Sequence, residues 1–356
     1  MKIVFLNIYN GLIDRGAERS THELANRLGE HRDVYFLQGA VPQTETIYKI
    51  KVIPPLLPKY QDTSLSILRK FYLDIWSLQI LIFTIMALPF LWRENFSIVI
   101  PINGGWQTLI CRLLIWLRRT KMIIIGRAGI GRDDAWNLLL RPDAFIALTL
   151  RASKWARYYN KKVDIYHIPN GVDINIFKPD VKAAKVTLLK PIIICVAALM
   201  PNKQIDLTIQ AAAKLNRASL LILGDGPLKK DLLTLGERLL GKERFLLIRA
   251  EREKIAGYYR AADIFTLVSK SGEAFGNVYL EAMACNLPVV ATDDATRHEI
   301  VGQAGLFVNP NNIPDYAKAL GYALEIKFNS KPREQAEKFS WEIVSQQYEK
   351  VLKQLS

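Results

Sequence analysis

Cysteine is scarce in this chain. Only Cys111, Cys195 and Cys285 occur in 356 residues, each inside or beside an apolar run. That excludes a disulfide framework and fits reduced thiols in a cytosolic compartment. Histidine is nearly as rare, with His22, His31, His167 and His298 scattered along the sequence. No Cys/His spacing of the zinc type exists, so no structural metal site is expected. An RNA-binding signature with interleaved aromatics is missing too, so nucleic acid is not an expected partner. The apolar run at 2–8 is short and interrupted by asparagines, Asn7 and then Asn10, which argues against a signal peptide. Neither an internal repeat nor a low-complexity tract appears.

What is present is length and basicity. A chain of 356 residues exceeds the usual single-domain size and calls for two domains of about 170–180 residues. Lys and Arg number 48 against 34 Asp and Glu, a net charge of +14. Such an excess attracts nucleic acid, anionic lipid or an anionic small substrate, and charge alone does not choose among them. Apolar strand patterns at 2–8, 33–38, 96–101, 122–125 and 143–149 alternate with helical ones. The same rhythm returns at 191–197, 220–223, 244–249 and 264–268, which predicts parallel sheets of an α/β protein. Lys49 opens a further strand that runs into a proline-rich loop at 54–58. The glycine-bearing loop 10–19, between the first strand and first helix, stands where doubly wound folds accept anions. The loop 126–134, with Arg127, Arg132, Asp133 and Asp134 at a strand's carboxyl end, suits either ligand recognition or a solvated, charge-balanced turn.

Residues 71–92 are the most hydrophobic stretch, close to the ~20 apolar residues a bilayer span needs. Asp74, Gln79 and Pro89 interrupt it. It reads as a buried core helix, as a helix with one face in a membrane interface, or as a true span. Arg69, Lys70 and Arg93 at its ends suit the interface.

The chemistry concentrates at 268–293. A turn-prone Ser271-Gly272 precedes Glu273 and Phe275-Gly276-Asn277; a helical run with Glu281 inside it follows, then a buried strand at 288–291. A glycine at a helix start gathers backbone N–H groups and the positive helix end, which suits a phosphate. A carboxylate accepts two hydroxyl hydrogen bonds at once, so the two glutamates suit a sugar or a ribose.

Glu273, Phe275, Gly276, Leu280, Glu281, Ala282, Met283 and Ala284 together resemble the signature of glycosyltransferase family 4. The resemblance extends closely over 168–345 and loosely over 1–20. It implies a GT-B fold, two Rossmann-like domains facing across a cleft: an N-terminal acceptor domain at 1–178, a nucleotide-sugar donor domain at 179–335, and a C-terminal helix at 336–356 crossing back to the first. It implies retaining transfer of a hexose from a nucleotide-diphosphate sugar to a glycan or lipid-linked acceptor, without cofactor or metal. Lys203 and the N–H groups around Gly276, Asn277 and Val278 would stabilise the departing diphosphate. Glu273 would hold the sugar and Glu281 the ribose, making Glu273 and Lys203 the catalytic pair. Gly16, Gly224, Arg249, Ala250 and Phe275 complete the expected donor contacts; Asn103, Arg127 and Arg15 are the acceptor candidates.

The chain departs from the family pattern in two places. Ala198 stands where an arginine for the diphosphate is common, so either Arg15 or Arg127 replaces it or the phosphate is held less strongly. Asn103 and Arg127 occupy the places where members often carry a histidine. Basicity together with 71–92 suggests an enzyme in the cytoplasm, peripheral on an anionic inner membrane face. The rival readings are an epimerase or hydrolase acting on nucleotide-sugars on the same architecture, and a non-catalytic nucleotide-binding Rossmann protein.

Overall fold

The computed structural model describes residues 1–13, 15–42, 45–56, 66–270 and 273–355. The turn expected at Ser271-Gly272, Asp14 of the first glycine loop, and the last two residues of the proline-rich loop, 57–58, lie outside the described residues. The chain divides into two compact units, Met1–Asn170 with Trp341–Ser356, and Gly171–Ser340.

In the first unit seven strands are parallel throughout. They are β1 (Lys2–Asn7), β2 (Asp33–Gln38), β3 (Lys49–Val52), β4 (Ile98–Pro101), β5 (Lys121–Gly126), β6 (Ala144–Ala147) and β7 (Asp164–His167), in the order β3-β2-β1-β4-β5-β6-β7. The second unit has β8 (Ile192–Val196), β9 (Ser219–Leu223), β10 (Phe245–Ile248), β11 (Ile264–Leu267), β12 (Val289–Thr292) and β13 (Gly305–Val308), in the order β10-β9-β8-β11-β12-β13. Central strands such as β8 and β9 are buried along their whole length, as continuous apolar runs covered by helices on both faces must be. Both sheets reverse direction of winding beside their first strand. The loops leaving β1 and β4, or β8 and β11, therefore diverge and open a crevice at the carboxyl edge, where such sheets bind ligands.

The boundaries fall at 170/171 and 340/341 rather than at 178/179 and 335/336. Backbone accounting explains the shift. Val172 N donates to Phe339 O at 2.9 Å, and the Arg333 guanidinium donates to Ile174 O at 3.2 Å and Phe177 O at 2.8 Å. These carbonyls find their partners inside the second unit. The last helix, Trp341–Leu355, packs in the first unit against helix Gly16–Gly29, with Glu349 held by Arg32 at 2.6 Å.

Helix Ile75–Glu94 corrects one of the three readings of 71–92. Asp74 caps it, accepting from Trp76 N at 3.2 Å and Ser77 N at 3.3 Å. Phe83, Ala87 and Leu91 enter the first unit's core, but Ile75, Ile85 and Trp92 stay about half exposed at 51, 51 and 49 %. It is not a fully buried core helix; one face packs and the rest is apolar surface.

Leu352 is completely buried at the seam between the last helix and the rest of its unit. Leu352→Ala should lower unfolding free energy by about 2–5 kcal/mol, measured by urea denaturation.

Candidate functional site

The crevice of the second unit is built by three loops. After β11 the chain reaches Glu273 and then Gly276, whose φ of +97° favours glycine; an added Cβ would meet the Tyr279 ring at 2.7 Å. Helix Asn277–Ala284 starts there, and its first turn supplies N–H groups that the helix itself cannot satisfy. After β8 the turn Pro201–Lys203 brings up Lys203, tied across by Lys270 N donating to Asn202 O at 2.8 Å. After β12 Asp294 caps helix Ala295–Val301, accepting from Thr296 N at 2.9 Å and Arg297 N at 3.0 Å.

Glu273 is where the loops meet. Lys203 Nζ donates to its Oε1, and Arg297 donates to its Oε2 at 3.0 Å. Arg297 is only 1 % exposed and also pairs with Asp294 at 3.2 Å, while its Nε has no hydrogen-bond partner. Burial pushes the Glu273 carboxyl up, yet Lys203 and Arg297 outweigh it and hold the pKa below the ordinary value. Burial likewise opposes the Arg297 charge, and Tyr279, Glu273 and Asp294 more than restore it. Glu273 is thus held as a carboxylate, with Lys203 on one oxygen and the Arg297 guanidinium on the other.

Glu281 lies one turn into its helix, half-buried, accepting from Tyr259 Oη at 3.1 Å. The Phe275 ring is buried and meets Phe339 edge-on at 6.3 Å, so it packs rather than lines the crevice. Gly224 ends β9 where a Cβ would meet Ala197 O at 2.0 Å. Arg249, past β10, is largely exposed, 3.8 Å from Asp225, with Ala250 half-buried beside it. The sequence-predicted residues of this unit therefore gather at one edge of its sheet. Gly16 belongs to the other unit, exposed at the start of helix Gly16–Gly29.

Arg15, Asn103 and Arg127 line one pocket of about 230 Å³ in the first unit, at the ends of β1, β4 and β5. Asn103 bridges the diverging loops, accepting from Ile8 N at 3.0 Å and donating to Asn7 Oδ1 at 3.0 Å. Arg15 pairs with Glu18 at 2.8 Å. Arg127 donates to Ala17 O at 3.1 Å and to Ser20 Oγ, and burial lowers its pKa. Both belong to the first unit, whereas Lys203 lies in the second. There the accompanying cation is Arg297, which sequence reading missed; the cue was Asp294 as a helix cap three residues ahead of a basic side chain. Asp134, in the loop read either as acceptor recognition or as a solvated turn, is 3 % exposed in the same pocket, accepting from Asn137 Nδ2 at 3.3 Å, and burial drives its pKa to about 7. All three cysteines are buried free thiols, which desolvation raises to about 12.

Two doubly wound units, each with its crevice at the winding reversal, define the GT-B class of α/β fold. Solved structures bear out that fold over the whole chain. Sucrose-phosphate synthase from Thermosynechococcus elongatus aligns with a TM-score of 0.81 at 17 % identity, covering 99 % of this chain and 98 % of that one. HepE from Anabaena in complex with UDP and glucose aligns at 0.76 and 17 %, covering 99 % and 100 %. Residues 179–340 match the family described as glycosyl transferases group 1. Among curated relatives, a GDP-mannose-dependent α-(1-6)-phosphatidylinositol monomannoside mannosyltransferase of Mycolicibacterium smegmatis is 29 % identical over 188 residues, 48 % of this chain and 49 % of that protein. The chain spans about half the length, or less, of the curated relatives it matches.

Arg297→Met should cost about 3–5 kcal/mol, since it leaves Glu273 and Asp294 buried without that cation; chemical denaturation reads it. Asp134→Asn should do the opposite, with a pH signature. A carboxyl raised from 3.8 to about 7 is neutral in both states at low pH and increasingly destabilises the fold as pH rises between those values. The variant's advantage should be absent below about pH 4, grow to at most about 4 kcal/mol near pH 7, and stay level above, as measured by melting across pH.

Proposed function

We propose that the chain transfers a hexose, with retention of anomeric configuration, from a nucleotide-diphosphate sugar to a glycan or lipid-linked acceptor. The observation that carries this reading is the ionised Glu273 between Lys203 and Arg297, beside the glycine-capped start of helix Asn277–Ala284. The donor lies in the second unit. Its diphosphate meets the first-turn N–H groups and Lys203, which stabilise the charge that grows as the sugar–phosphate bond breaks. Glu273 accepts from sugar hydroxyls and Glu281 from the ribose. Lys203 and Arg297 supply the positive charge in this scheme, so it calls for no metal.

The acceptor occupies the arginine-lined pocket of the first unit. Its hydroxyl oxygen bonds to the anomeric carbon as the sugar–phosphate bond breaks, and the hydroxyl proton passes to the departing diphosphate oxygen. The relatives' names support the substrate classes in general terms: one specifies GDP-mannose and a phosphatidylinositol glycolipid, and a structural neighbour was solved with UDP and glucose. The half-exposed apolar face of helix Ile75–Glu94, with the basic balance, supports a cytoplasmic protein peripheral on the anionic inner membrane face.

A thermal-shift panel of UDP, GDP, ADP and their sugar conjugates tests the donor site. The cognate nucleotide at 100 times its dissociation constant should add about 2.7 kcal/mol, and Glu281→Ala should shrink that gain. Glu273→Gln should lower turnover at least 100-fold, and NMR of the first product formed should show the donor's anomeric configuration. Binding to no nucleotide would defeat the proposal; turnover of donor alone, acceptor making no difference, would move it to a hydrolase.

A further inference from the structure

Helix Ile75–Glu94 has two different neighbours on its two sides. Trp76, Ser77 and Ile80 face the arginine pocket, with Trp76 edge-on to Tyr9 at 5.2 Å. Ile75, Leu78, Ile82 and Met86, three or four residues apart, form one wall of a separate groove of about 180 Å³. The opposite wall is the run 54–56, Pro-Pro-Leu, and Ile8 is at the base; Gln79 is its one polar side chain among the described residues. The N-terminal half of one helix therefore separates a polar chamber from an apolar one.

The polar chamber carries a small positive excess. Arg15, Arg69, Arg127 and Arg132 line it with Asp74, Asp133 and Asp134, and Arg132 pairs with Asp133 at 3.2 Å. The buried Nε of Arg127 has no hydrogen-bond partner, and Arg132 lies 4.9 Å over the Tyr72 ring. Arginine forks match phosphate oxygens. Outside the groove the apolar surface continues along the helix through Ile85 to Trp92, where Arg118 stacks at 4.0 Å. Arg69 and Lys70 precede the helix and Arg93 ends it, an arrangement that suits anionic headgroups around an immersed apolar face.

We propose that the two chambers are one site for an amphiphile, a phosphate-bearing head in the arginine pocket and the first carbons of a hydrocarbon chain in the groove behind the helix. The word acceptor for this amphiphile rests on the glycosyl-transfer reading; its binding does not. Charge complementarity decides the head, and continuity of the apolar wall with the exposed helix face decides the tail.

The test uses the full chain and three probes below their micelle concentrations: inorganic phosphate, butyl phosphate and dodecyl phosphate, by calorimetry. Each buried CH₂ adds about fourfold in affinity, so dodecyl phosphate should bind at least tenfold tighter than butyl phosphate. An Ile82→Asn, Met86→Gln double variant should lose that chain-length gain and keep inorganic phosphate binding. Arg132→Gln should weaken all three probes by fivefold or more. If butyl and dodecyl phosphate bind alike, or the groove variant keeps the gain, the tail is not in the groove and the proposal falls. Dodecanol binding as tightly as dodecyl phosphate would likewise remove the head from the arginine pocket. If the groove variant loses inorganic phosphate as well, with its melting temperature unchanged, the chambers are not separate as described and the proposal also falls. No arm needs a sugar donor, so failure here leaves the nucleotide test standing.

Discussion

A carboxylate that is largely removed from water costs several kcal/mol unless opposite charge surrounds it. In the second unit that constraint falls on Glu273, and the answer to it organises three loops from the ends of β8, β11 and β12. Lys203 approaches from the first, Arg297 from the third, and Asp294 fixes Arg297 while capping the helix that carries it. Each group is tolerable only because the next is present. Position and ionisation are therefore set before any ligand arrives, the condition under which fixed charges act most strongly on developing charge.

The two units solve the same backbone problem and diverge in side chains. Both sheets wind outward from their first strand, so each opens a crevice at the carboxyl edge. In the second unit the crevice is filled by a charge cluster. In the first it is bridged by Asn103, whose amide joins the loop after β4 to that after β1, and beyond it four arginines and three aspartates surround open space. A neutral asparagine holds both loops without adding a further charge to that lining.

Much of this was legible because it is local. Continuous apolar runs such as 192–196 have few alternatives to a buried strand, and Gly276 before Asn277 announces a helix start by backbone chemistry alone. Both glutamates of 268–293 stood out through spacing and the family resemblance. Arg297 did not, since its partner Glu273 is 24 residues away and only the folded sheet brings β11 beside β12. Asp134 was hidden differently: its neighbour Asp133 is exposed, and no pattern of two adjacent aspartates says which one turns inward. The 170/171 boundary depends on Val172 meeting Phe339 and on Arg333 collecting carbonyls from 174 and 177, contacts with no sequence signal.

Helix Ile75–Glu94 marks where periodicity itself runs out. A helix apolar on all sides carries no phase, so its sequence could not say which face is inside. The fold chooses 83, 87 and 91 for the core and leaves large apolar side chains in water. A contiguous exposed apolar patch invites association unless something occupies it or shields it. Shielding is partial: Arg118 covers Trp92, while Trp116 and Leu117 nearby remain mostly exposed at 71 and 74 %. Arginines placed over and around such rings cannot neutralise anionic lipid without bringing the apolar face against it. The arginine that covers part of this surface is the same kind of group that would hold it at a negatively charged interface.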